Sequence, residues 1–234
     1  MKYISKGIEH SRVTQWKMAA QPPTWEKLNR KSKIKKLVRE SLLEEQGYIC
    51  CYCQRRIHES ETINGQQVIT AEIEHIISRH ECDQSNQPLL KIEHSNLIAS
   101  CDGNKRKRNQ YLDPSERHCN NYKGNEQLPI SPLSPTCESN FDYDFSGNIH
   151  ASGVNQLAQQ TISTLNLDKL YKERLSKIKG IFYEIDGITP IDFQNNEKNL
   201  LLNFYQSKSN IDNDAKMKYP EFSAVIVTKP SSAI

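Results

Sequence analysis

The sequence predicts an α+β protein with helical ends and a cysteine-bearing middle. Three observations carry that reading. A helical hydrophobic period occupies residues 25–46, an Asn-Gly turn separates β-favouring runs within 61–76, and helical spacing returns after residue 154. Between the first two lies "YICCYCQRR" (48–56), which puts three cysteines within four positions. A chain of 234 residues can bury about 70–75% of its unfolded surface, so it needs no staples merely to fold. Hydrophobic residues are 36% of it and mean hydropathy is −0.73, which implies a modest core under a polar surface. The expected organisation is a helical segment at 1–47, a cysteine-bearing core at 48–150 and a helical region at 151–234.

Residues 1–23 read as irregular and close on "QPPTW", whose prolines stop any earlier helix. Thr24 caps a helix from Trp25 to Gln46, in which Leu28, Ile34, Leu37, Val38 and Leu42 form one stripe and Gly47 ends the run. In "ETINGQQVITAEIEHI" the Asn64-Gly65 turn makes a hairpin, with Glu74 and His75 at the end of its second strand. Residues 78–92 are polar and turn-rich, and "HSNLIAS" is a short apolar segment leading into Cys101. Residues 102–150 read as an extended, loop-rich surface. Val154, Leu157, Ile162 and Leu165 then fall at helical spacing, Asp168 caps a second helix, and "EKNLLLNFYQ" makes a third. The final "FSAVIVT" is a strand or a docking segment, and with these helices it offers apolar surface to a partner.

The formal charge of +3 does not by itself imply a nucleic-acid partner, but its distribution is uneven. "RKSKIKKLVR" (30–39) and "KRKR" (105–108) concentrate basic charge while the acids are spread out. No stretch of eighteen apolar residues is present, and "MKYISKGIEH" has no apolar core, so the expectation is a cytoplasmic protein without a membrane span. Seven cysteines in such a chain argue against a disulfide framework and for metal ligation or buried thiols.

Cys50 and Cys53 have the C-x2-C spacing at which a tight knuckle aims two thiolates at one Zn²⁺. Cys101 and Cys119, each beside a candidate turn, complete a tetrahedral set. Seventeen residues separate them where a second knuckle normally has two, and His118 competes with Cys119 as fourth ligand. Cys51, Cys82 and Cys137 are left as buried thiols.

Paired cysteines, then Glu-His, then Asn-Leu before a cysteine, then Cys-Asn-x-x-Lys, resemble the HNH endonucleases of the ββα-metal type with a zinc-binding frame. More narrowly, "CCYCQ", "EIEHI", "SNLIASC", "HCNNYKGN", "ISPLSPTCESNFDYDFSGNI" and "ISTLNLDKLYKERL" are similar to the PtuB-like nucleases of Septu-type antiphage systems, whose members also occur with retrons. The likeness begins at "MKYISKG" and runs through most of the chain. Ser78 departs from it, standing where the family usually has proline.

The resemblance implies metal-dependent phosphodiester hydrolysis, and the residue types suit it. A neutral imidazole at His75 takes a proton from water near pH 7. Glu74 offers a hard oxygen to Mg²⁺ or Mn²⁺, with Asn120 as the second metal ligand. Asn96 braces the loop and orients His75. Lys123 and the run Lys105, Arg106, Lys107 and Arg108 are positioned to meet phosphate, with Tyr111 and Tyr122 beside them. The implied partners are a PtuA-like ABC/SMC-type ATPase, a DNA or RNA substrate, and a retron reverse transcriptase with its DNA/RNA hybrid. The alternatives are cleavage of RNA such as tRNA, or a zinc-ribbon module that binds without cutting.

Overall fold

The computed structural model describes residues 1–63, 65–104, 113–212, 214 and 216–228. Helix α1 (Ser11–Ala19) occupies part of the stretch read as irregular; the His10 side chain caps it and it buries Val13. The single helix expected over 25–46 is two, α2 (Trp25–Asn29) and α3 (Ser32–Glu45). The reason lies in the apolar spacing. One continuous helix from Leu28 would have turned Lys31, Ser32 and Lys35 toward the core, whereas the break lets α2 bury Trp25 and Leu28 while α3 buries Val38, Leu42 and Leu43. Thr24 caps α2 as expected. Gly47, at φ +59, follows α3, and a Cβ there would meet the Tyr219 backbone nitrogen at 2.8 Å.

Strands β1 (Glu61–Ile63) and β2 (Gln66–Val68) form an antiparallel pair, while Asn64 of the expected turn lies outside the described residues. The second strand was expected to run on to His75, but β3 (Ala71–His75) is separate and pairs instead with β4 (Leu97–Cys101), the segment "LIASC". The chain turns at Thr70, whose hydroxyl bonds both the amide and the carbonyl of His58. In the β3–β4 register Ala71 faces Cys101 and His75 faces Leu97, so the ribbon has a cysteine at one end and the Glu-His pair at the other. Helix α4 (Arg79–Gln84) follows, capped by Ser78. The loop-rich middle also holds α5 (Asn120–Lys123) and a hairpin of β5 (Phe141–Tyr143) with β6 (Ile149–Ala151).

The C-terminal helices are α6 (Gln156–Leu165), α7 (Tyr171–Phe182) and α8 (Asn195–Gln206). On α6 the buried face is Ala158, Thr161, Ile162 and Leu165, while Val154 and Leu157 of the expected stripe are exposed. Asp168 lies in a 3-10 turn and does not cap α7. "FSAVIVT" is neither strand nor open docking surface: it forms α9 (Ser223–Val227), with Ser223 through Ile226 buried. The Gln54 side chain accepts from the Ala224 amide at 2.8 Å and so pins α9 onto the cysteine knuckle. One apolar core runs through the molecule, from Met1 and Leu42 through Ile98 to Ile178 and Ile226. Among the described residues, no helix is long and apolar enough to cross a membrane.

One buried amide ties α3 to this centre. Gln46 donates to the carbonyls of Ile49 (3.0 Å) and Ala99 (2.8 Å) and accepts from the Ala99 amide at 2.6 Å. Gln46→Leu fits the space but orphans those groups, at about 1–3 kcal/mol for each left unsatisfied. The expected result is a urea midpoint lowered by an amount equal to about 3 kcal/mol or more; an unchanged midpoint would remove Gln46 from this role.

Candidate active site and metal centre

The knuckle forms because Tyr48 and Gln54 adopt left-handed backbone, at φ 59 and 65, and let the Cys50 amide bond the Arg55 carbonyl at 2.9 Å. This presents Cys50 and Cys53 inward. Cys101 arrives at the end of β4, and Cys119 at φ 54 immediately before α5. Gly103 permits the approach of these two segments, since a Cβ there would lie 2.1 Å from the His118 carbonyl oxygen. The Sγ atoms of Cys50, Cys53, Cys101 and Cys119 are buried and all lie within 4.8 Å of one another, with Cys50 3.9 Å from Cys119 and Cys53 3.7 Å from Cys101. Four thiolates around Zn²⁺ at about 2.3 Å have edges of about 3.8 Å, so the cluster has the size and donor chemistry of a structural zinc site. Cys51, Cys82 and Cys137 are buried elsewhere, as expected.

His118 stands beside the cluster rather than in it. Its Nδ1 lies 3.1 Å from Cys119 Sγ and its Nε2 lies 3.1 Å from Arg55 Nη1. Arginine can only donate, so Nε2 accepts and Nδ1–H points at the sulfur, orienting the thiolate. Burial opposes charge on Cys50. Hydrogen bonding with the Cys101, Cys119, Cys51 and Cys53 thiols nevertheless holds its pKa well below the usual thiol range, while burial pushes Cys119 up.

The cluster is linked to a second site at the other end of the β3–β4 ribbon. A cavity of about 100 Å³ is lined by residues including Glu74, His75, Arg79, Asn120 and Lys123. Tyr52, inside the knuckle, donates its phenol to Glu74 Oε1 at 3.0 Å. The Lys123 ammonium lies 2.9 Å from the same oxygen, and both side chains are almost wholly buried. Burial raises the Glu74 pKa, against the pull of Lys123 and Tyr52. Lys123→Met should therefore leave a buried carboxylate unpaired and cost about 3–5 kcal/mol in urea unfolding, with most of the loss recovered by adding Glu74→Leu. An additive double variant would contradict the pairing.

His75 is held from two sides. Its Nε2 is 3.0 Å from the Lys91 carbonyl oxygen, which can only accept, so Nε2 carries the hydrogen and Nδ1 holds a lone pair. The Trp25 ring meets the imidazole edge-on, with centroids 4.6 Å apart and planes at 75°. Burial lowers the His75 pKa to about 4, with the charges of Arg79, Lys123 and Lys91 acting in the same direction, so the imidazole is neutral at pH 7.

Asn96 does not line the cavity. Its side chain accepts from the Ile77 amide at 2.7 Å and donates to the carbonyls of Ile77 and Leu90, which fixes the turn after His75 and the 3-10 turn Pro88–Lys91 that carries Lys91. Asn120 donates to Glu72 Oε2 at 3.1 Å, and its Oδ1 has no hydrogen bond among the described residues. Glu74 and Asn120 both line the cavity and carry oxygen donors of the kind a hard cation takes, with Lys123 as its competitor for Glu74. Ser78 has φ −58, a value that a proline ring would also adopt. Lys105, Arg106, Lys107, Arg108 and Tyr111 lie outside the described residues. Trp25, Tyr52, Lys91 and Arg79 escaped the sequence reading; of these, only Tyr52 carried a local signal, its place between the knuckle cysteines.

A mixed helix-and-strand fold with a four-cysteine cluster fits a zinc-containing HNH nuclease. A protein of Vibrio cholerae serotype O1 biovar El Tor, named "Retron Vc95 putative HNH endonuclease", is 31% identical to this chain over 157 residues, 64% of this chain and 67% of the Vibrio protein. The chain belongs to that protein's family, the HNH endonucleases. No protein-family model matches it.

Proposed function

We propose that this chain is a metal-dependent endonuclease that hydrolyses nucleic-acid phosphodiester bonds, with His75 as general base. The observation that carries this reading is the neutral His75 imidazole, fixed through Nε2 on the Lys91 carbonyl, beside Glu74 in a cavity shared with Asn120 and Lys123. In this reading β3, β4 and α5 form the ββα-metal unit, and the zinc cluster at its base fixes their spacing. His75 Nδ1 takes the proton of the attacking water, which needs a positioned lone pair and nothing charged. Asn96 holds the loop that presents Lys91, and Lys105, Arg106, Lys107 and Arg108, which follow Asn104 in sequence, meet flanking phosphates. Mg²⁺ or Mn²⁺ held by Glu74 and Asn120 would supply charge stabilisation at the phosphoryl group.

The PtuB-like motifs and the relative's retron designation support a role in antiphage defence in the cytoplasm, beside a PtuA-like ATPase that restrains the nuclease until it is needed. A retron reverse transcriptase with its DNA/RNA hybrid is a further partner in this reading. DNA and RNA offer the same phosphodiester to the cavity. The test is incubation of the purified chain, alone and with the ATPase, with separate DNA and RNA pools, with and without EDTA. Cleavage of one pool that EDTA abolishes is expected. Failure of both preparations to cut either pool would overturn the reading and leave a binding module.

A further inference from the structure

The Trp25 indole carries more than His75. The Lys35 ammonium lies 5.8 Å from its ring centroid and the Arg79 guanidinium 5.5 Å, so two cations converge on the ring that packs against the imidazole. Nearby cations are neutralised: Arg39 by Glu59 at 3.0 Å, Lys91 by Asp83 at 2.5 Å, and Lys123 by Glu74. Lys35 and Arg79 form no ion pair among the described residues. Lys35 donates to the neutral Asn29 Oδ1, and Glu72, the acid that acts on it electrostatically, accepts hydrogen bonds from Asn120 and Asn121. Burial and the charges of Arg39 and Arg79 all disfavour the Lys35 ammonium, so like charge has been gathered here at a cost. Arg79 is exposed and lines the cavity, while Lys35 sits further along α3. An anionic polymer passing the cavity would meet both.

We infer that Lys35 and Arg79, mounted on Trp25, form a grip for the sugar-phosphate backbone, holding the strand on the α3–α4 side of the cavity. This inference rests on the nuclease reading. Arg79 takes a phosphate next to the scissile one, Lys35 takes one further along, and the indole fixes both at a set distance from His75. The cations acquire the counter-charge that the protein does not supply. The contacts are to phosphate, so they carry no base preference.

The test uses the full-length His75→Gln chain, which keeps a flat polar side chain against Trp25, and fluorescence anisotropy over a salt series. The probes are a labelled DNA duplex and a labelled RNA hairpin, which distinguish the two sources of backbone. Arg79→Ala and Lys35→Ala should each weaken binding several-fold and lower the slope of log affinity against log salt by about 0.7–0.9. Arg79→Lys should restore part of the slope, and Lys36→Ala, whose ammonium faces Glu40, should change neither quantity. If wild-type protein cuts nucleic acid and the two alanine variants bind both probes with unchanged affinity and slope, the grip is wrong while the nuclease reading stands. If wild type cuts nothing and the folded chain binds neither probe, both fall together.

Discussion

Cys119→Ser should strip the zinc from this protein and unfold it. The four sulfurs come from the knuckle, the end of β4 and the start of α5, so a zinc held by them would join segments that are distant in sequence. A site of this kind couples on the order of 10 kcal/mol of metal binding to folding, comparable with the whole stability of a typical domain. The backbone of Cys119, whose amide bonds the Leu165 carbonyl at 2.8 Å, is kept by serine, so the substitution isolates the thiolate. Elemental analysis and a thermal melt read the result. Cys51→Ser is the comparison: Cys51 is equally buried but lies outside the cluster, and serine keeps a donor for Cys50, so zinc should be retained. A folded Cys119→Ser protein with a wild-type melt would remove the cluster from its structural role.

His75→Ala should lower cleavage by about 10²–10⁴-fold, the usual contribution of a positioned base. The structure holds the imidazole in one tautomer through Lys91 and in one plane through Trp25, and the substitution removes a group whose orientation is already fixed. Among the described residues the imidazole makes one hydrogen bond and one ring contact, so the fold should survive its removal. Glu74→Gln should behave differently. It weakens the pairing with Lys123 and reduces the dependence on Mg²⁺ or Mn²⁺, with zinc unaffected. Single-turnover cleavage at varied metal concentration separates the two variants.

The four-cysteine cluster was readable in the sequence because its members follow covalent rules: C-x2-C makes a knuckle, and two further cysteines beside turns complete the set. Glu74 and His75 were readable as a pair for a similar reason, as they leave one strand together. What surrounds them was not. The β3–β4 pairing brings residue 71 beside 101, and no local signal distinguishes it from a longer hairpin after Asn64-Gly65. The helix over 25–46 broke because Lys31, Ser32 and Lys35 fall on what would have been its core face, a conflict the apolar stripe alone conceals. Trp25, Lys91 and Tyr52 act on the site through space, by a ring edge, a carbonyl and a phenol, and none of these leaves a periodic trace. On α9 the apolar run was visible, but its cover was this chain's own Gln54 and core rather than a partner.

The division of labour between the cysteine cluster and the Glu74–His75 pair is tested most directly by measuring zinc content and nuclease rate on one preparation of His75→Ala. One zinc per chain and a melting temperature within a few degrees of wild type, with cleavage reduced by about 10²-fold or more, is the expected result. Wild-type cleavage by that preparation, once free of contaminating nuclease, would contradict His75 as the base. Loss of zinc together with unfolding would make the histidine part of the metal-held structure instead.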